Sequence, residues 1–180
     1  MIGFDGKFKL NMKIYCTKQT NFVYNTIRII NLIKKRIYLD NCCFNRPYDD
    51  QANLNVHLEA EAKIFIQNEI LKKTYELAWS FMMDYEISSN PFLDRKIVFF
   101  NWKNISVIDV DPTEEILKKG KELAEKNIKK KDPLHIACAI KAECGYFLTT
   151  DAKLLNKEIS EIHLINPLDF LRQYYEGEKL

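Results

Sequence analysis

The chain has 180 residues, 47% of them hydrophobic, which is enough for one substantial core and argues for a single main domain. Charged residues make up 29%, as in ordinary soluble proteins, and no apolar run approaches the ~20 residues of a membrane span. The first apolar stretch, 27–33, is broken by Arg28 and Asn31, so no secretory signal is read and a cytoplasmic location is expected.

The net charge of +2 conceals an asymmetry: residues 1–35 carry seven Lys/Arg against one Asp, and residues 36–180 carry twenty against twenty-four acids. The five cysteines, Cys16, Cys42, Cys43, Cys138 and Cys144, show no C-x-x-C spacing, which argues against a zinc site and against a disulfide framework. Cys42, Cys43 and Cys138 read as small apolar residues.

Residues 1–35 are read as a basic extension, either a passive tail or mis-assigned start or an arm that touches RNA or a partner, ahead of a domain over 36–180. A strand is expected over 36–39, then a loop over 41–50 punctuated by Pro47. A long helix over 53–73 follows, with Leu54, Leu58, Ala62, Phe65, Ile66 and Ile70 as its apolar face and Glu59 and Glu61 on its exposed side. A strand over 75–79 leads to a helix over 80–88, stopped by Asn90-Pro91 because a residue before proline avoids the α region. A helix over 93–102, a strand over 105–110 and a charged amphipathic helix over 113–126 come next.

Lys129-Lys130-Lys131 then precedes Asp132, which reads as the N-cap of a helix with Pro133 at its first position and Gly145 as its stop. A strand over 146–149, a short helix from 152, a strand over 163–165 and a helix from Pro167 complete the chain. Strand–helix alternation of this kind implies a parallel sheet covered on both faces, an α/β fold.

Four acids stand out, three of them at the boundaries of these elements. Asp40 ends Arg36-Ile37-Tyr38-Leu39, Asp151 ends Tyr146-Phe147-Leu148-Thr149-Thr150, Asp132 opens an apolar helix, and Glu86 lies ahead of Asn90-Pro91. Carboxylates at strand ends and helix starts can converge in the crevice at the carboxyl edge of a sheet. Gathered there they repel one another, and a divalent cation relieves the repulsion. Each also has a structural alternative: Asp132 and Asp151 as helix caps, Glu86 as a solvated helix residue, Asp40 as a part-buried acid that needs a partner. Asp84 competes with Glu86, but the two cannot share a helix face. His135, one turn after Asp132, is either a proton shuttle or a hydrogen-bonded core residue.

In their order, the segments 37–47, 79–92, 132–140 and 146–155 resemble the PIN domain family, the nuclease fold of VapC-type toxins and several RNA-processing enzymes. The resemblance implies a three-layer α/β/α domain with a central parallel sheet. It implies a metal-dependent endoribonuclease in which Asp40, Glu86, Asp132 and Asp151 hold Mg2+ or Mn2+, with Asn41, Arg46 and Thr150 near substrate phosphate. It also implies RNA as substrate, a cognate antitoxin in the toxin case, and a homodimer; no membrane partner is expected.

The alternative is a PIN-fold module that binds RNA or protein without cutting. A haloacid-dehalogenase-like phosphatase would need an Asp two residues after Asp40, where Cys42 stands, and no G-x-G-x-x-G supports a dinucleotide fold.

Overall fold

The computed structural model describes residues 35–128 and 131–177. The expectations for residues 1–34 and for Lys129 and Lys130 lie outside the described residues.

Five short apolar strands form one all-parallel sheet in the order β3-β2-β1-β4-β5. They are β1 (Arg36–Leu39), β2 (Glu76–Ser80), β3 (Ile108–Val110), β4 (Tyr146–Leu148) and β5 (His163–Ile165). In the register, Tyr38 pairs with Ala78 on one side and Phe147 on the other. Eight helices connect or follow them among the described residues: α1 (Asn41–Asn45), α2 (Leu54–Leu71), α3 (Phe81–Ser88), α4 (Leu93–Lys103), α5 (Glu114–Glu125), α6 (Asp132–Lys141), α7 (Ala152–Leu155) and α8 (Pro167–Gly177).

The sheet is buried on both faces, and the period-2 alternation of the strands decides what goes where. Tyr38 and Phe147 point to one face and stack at 5.2 Å, and Tyr38 meets His135 of α6. Trp79 points to the other, where it meets Phe44 of α1; Phe44 in turn meets Phe99 of α4. Tyr146 joins this second face through Phe170 of α8, and α8 packs along α2. This is the three-layer α/β/α arrangement expected from the sequence. Gly120 lets α5 lie close on α6: a Cβ there would stand 2.7 Å from Leu134 Cδ2.

Several local expectations are corrected. The loop over 41–50 is largely helical, with α1 followed by a 3-10 turn, Arg46–Tyr48; Asp40 accepts the Asn41 amide, and Pro47 occupies the first turn. The strand over 105–110 begins only at Ile108, because the Ser106 amide turns back onto the carbonyls of Trp102 and Lys103.

The buried face of α2 is rotated from the expected one. Leu54 and Leu58 are exposed, while Lys63, Gln67 and Glu69 are buried with Ala62, Ile66 and Ile70. Long polar side chains lend aliphatic stems to that interface.

Lys131, not Asp132, holds the cap position of α6 and makes no side-chain cap bond there; Asp132 is the first helical residue. The helix ends at Lys141, and Glu143, with φ 56°, takes the left-handed position assigned to Gly145. Gly145 instead belongs to the sheet margin, bonded to the Arg36 carbonyl and the His163 amide.

Candidate active site

The chain winds from β1 outward to β3 and then crosses to β4 on the far side of β1. That places a topological switch between β1 and β4, where the loops at the carboxyl edge diverge and leave a crevice. Asp40 follows β1 directly, and its amide donates to the Leu148 carbonyl at the end of β4 (3.0 Å). Thr149 and Asp151 leave the same edge from β4, and Ser80 and α3 leave it from β2.

Asp40 is held by three donors: the Asn41 amide at 2.7 Å, the Thr149 hydroxyl at 2.9 Å and the Cys42 thiol at 3.0 Å. Burial pushes its carboxyl well above the usual carboxylate range, the nearby Cys42 adds to this, and His135 and the Thr149 bond work against it. Glu86 comes in from α3. Burial would raise its carboxyl too, but the neighbouring His135 ring and Lys131 ammonium outweigh that and hold it below the usual range. Lys131 Nζ lies 3.3 Å from Glu86.

His135 completes the group. It is 1% exposed, its Nδ1 is 2.9 Å from the Tyr38 hydroxyl, and that hydroxyl is 2.6 Å from Ser80 Oγ. Its Nε2 lies 3.5 Å from Glu86 Oε2, beyond ordinary hydrogen-bond distance, and has no hydrogen-bond partner. Among the described residues, Asp40, Glu86 and His135 each offer a ligand atom within 4.8 Å of the others. This donor set suits a divalent cation: two carboxylates, one of them raised by burial, face a ring nitrogen without a proton partner.

Asp132 and Asp151 stand outside that trio and line a cleft of about 590 Å3 together with Asn127, Lys153, Asn156 and Lys157. Asp132 is one turn before His135 on α6, and Asp151 is two residues after the Thr149 that binds Asp40. Asp151 is also the N-cap of α7, its Oδ1 accepting the amides of Lys153 and Leu154, so its structural alternative holds for one oxygen.

Asp84 does not join the cluster. It accepts from Trp79 Nε1 at 2.8 Å and pairs with Lys103 at 2.6 Å, which leaves Glu86 as the acid of this segment that reaches Asp40. Arg46 pairs with Glu59 at 2.9 Å and Asp49 at 3.0 Å. Glu59 is thereby part-buried rather than on an exposed helix side, and it also accepts from Asn166. The Asn41 side chain accepts from Asn45, and the Thr150 amide donates to the Cys42 sulfur.

Three residues carry more here than their sequence context indicates. Cys42, small and apolar in its setting, places its sulfur against Asp40, Thr149 and Thr150. Thr149 was visible beside Asp151, and His135 at the i+3 position from Asp132; spacing alone did not separate either from a core role.

No protein-family model matches the chain, and no curated protein matches it. Among solved structures it is similar to VapBC2 from Rickettsia felis bound to a DNA fragment from the promoter, at 19% identity and a TM-score of 0.47, over 73% of this chain and 98% of that one.

Proposed function

We propose that this protein is a metal-dependent endoribonuclease of PIN type. The observation that carries the reading is the convergence of Asp40 and Glu86 on the buried His135 at the switch point of a parallel sheet, beside a cleft walled by Asp132 and Asp151. Asp40 and Glu86 would hold the cation, Mg2+ or Mn2+, from one side. Asp132 and Asp151 would reach it across the cleft, directly or through water.

When bound, the cation supplies charge neutralisation for the phosphate and for the attacking and leaving oxygens. The protein's own part is orientation. The Asn41 amide and Thr149 hydroxyl fix the Asp40 carboxylate, and the cap bonds of α7 fix Asp151. RNA as the substrate rests on the PIN resemblance of the four ordered motifs. A toxin role belongs to the same reading, with a cognate antitoxin covering the cleft and a homodimer as the assembled form.

The test is cleavage of a mixed RNA pool with Mn2+, with Mg2+ and with EDTA, by wild type, Asp40→Asn and Asp132→Asn. Cutting that needs a cation and falls at least about 100-fold in both variants is expected. The thermal melt of Asp132→Asn, a near-isosteric change, separates loss of cutting from loss of fold. Wild-type cutting by both variants would sink the assignment. A wild type that binds no cation and cuts nothing would favour the binding module.

A further inference from the structure

We infer that His135 Nε2 is itself a ligand of the cation, with Asp40 and Glu86, so that the site selects a first-row transition cation over Mg2+. The inference rests on the metal-nuclease reading and goes beyond its carboxylate set. A core histidine ordinarily satisfies both ring nitrogens, because a buried polar atom left without a partner is costly. Here one nitrogen is satisfied and the other is not. The orphan faces the two carboxylates rather than apolar side chains, with all three ligand atoms within 4.8 Å.

Two ligands each about 2.1 Å from one ion stand roughly 3.0–3.5 Å apart. The 3.5 Å between Nε2 and Glu86 Oε2 already meets that spacing.

The surroundings set the ring for this role. A ligating imidazole donates its other N–H to a neighbour, which fixes both tautomer and orientation. The 2.9 Å and 2.6 Å distances allow Nδ1 to donate to the Tyr38 hydroxyl oxygen and Tyr38 to donate on to Ser80 Oγ, the tautomer that directs the Nε2 lone pair at the carboxylates. Tyr38 is locked by its stack on Phe147 and is fully buried. Mg2+ favours oxygen ligands and retained waters, whereas imidazole raises affinity along the series Mn2+, Fe2+, Co2+.

The experiment is Mn2+ and Mg2+ binding by calorimetry, joined to pulsed EPR of the Mn2+-loaded protein to read nitrogen coupling at the ion. It uses wild type, His135→Gln, Asp40→Asn and the double variant His57→Gln/His163→Gln. The double variant changes only exposed residues and leaves His135 as the one histidine of the chain.

Expected are nitrogen coupling in wild type and in the double variant, tighter Mn2+ than Mg2+ binding, and a loss of at least about 10-fold in Mn2+ affinity for His135→Gln. Mg2+ affinity of that variant should change less than about 3-fold. Mn2+ bound by His135→Gln at wild-type affinity and lost in Asp40→Asn, with no nitrogen coupling in wild type, would overturn the inference and leave the nuclease reading standing. No Mn2+ binding, or binding unaffected by Asp40→Asn, would overturn both. If His135→Gln does not fold, the double variant's spectrum decides alone.

Discussion

Lys63 points into the core, with Nζ 5.6 Å from the centroid of the Phe44 ring and 6% of the residue exposed. Burial pulls its ammonium down from 10.5 to about 8, and Cys43 opposes this weakly. Below pH 8 the lysine is charged in both states and the folded state carries the desolvation cost. Between pH 8 and 10.5 the unfolded chain binds more protons, so stability rises with pH through that window. Lys63→Met should raise stability at pH 7 by about 1–3 kcal/mol and flatten that rise, as read from urea melts at several pH values. An unchanged pH slope would mean that Lys63 does not cause it.

A second residue-scale prediction concerns the cleft. Lys153 and Lys157 line it beside Asp132 and Asp151, and neither side chain forms an ion pair among the described residues, whereas Arg46, the cation favoured from sequence, is held by two carboxylates. Replacing both lysines with Gln should reduce the salt slope of single-stranded RNA binding in EDTA by about 0.7 per lysine, with Mn2+ affinity unchanged. Anisotropy titrations across a salt series would show it, and an unaltered slope would remove both from the RNA path.

The helices end in a shared way that no motif announced. After α2, α5 and α6, the left-handed residue is Lys73 (φ 62°), Asn127 (φ 59°) and Glu143 (φ 56°), in each case without the glycine that this position favours. Such a conformation costs an L-residue roughly 1–2 kcal/mol, less for Asn. Lys73→Gly and Glu143→Gly should therefore each stabilise the protein by about 1 kcal/mol, and Asn127→Gly by much less. Thermal unfolding of the three variants ranks them, and a destabilised Glu143→Gly would show that its side chain matters more than its backbone. Helix positions were legible from hydrophobic spacing, and so was the stop at Ser88 ahead of Asn90-Pro91, but the stop of α6 was not, because Gly145 was the obvious terminator and the sheet already uses it.

Across the whole molecule, the site depends on the sheet face beneath it. Phe147 is fully buried, stacks on Tyr38 from the neighbouring strand, and so supports the Tyr38–His135 contact. Phe147→Ala should cost about 3–5 kcal/mol by leaving a cavity there. Denaturant melts measure that loss, and Mn2+ titration of the still-folded variant should show weakened binding as Tyr38 and the imidazole lose their fixed orientation. Full metal affinity in a destabilised variant would separate the site from its support.

The sequence by itself determined the alternation of strands and helices, the parallel α/β class and the three aspartates at element ends, because each is written in local periodicity and in short runs of neighbouring residues. Only the tertiary structure decided which of those acids meet. Asp40, Glu86 and His135 come from three distant segments, and their approach depends on strand order, register and the crossover between β1 and β4. It also decided that Arg46 is taken by Glu59 and Asp49, that Asp84 serves Trp79 and Lys103, and that one imidazole nitrogen is buried without a partner. Pairing and burial are properties of the packed chain, and no local pattern encodes them.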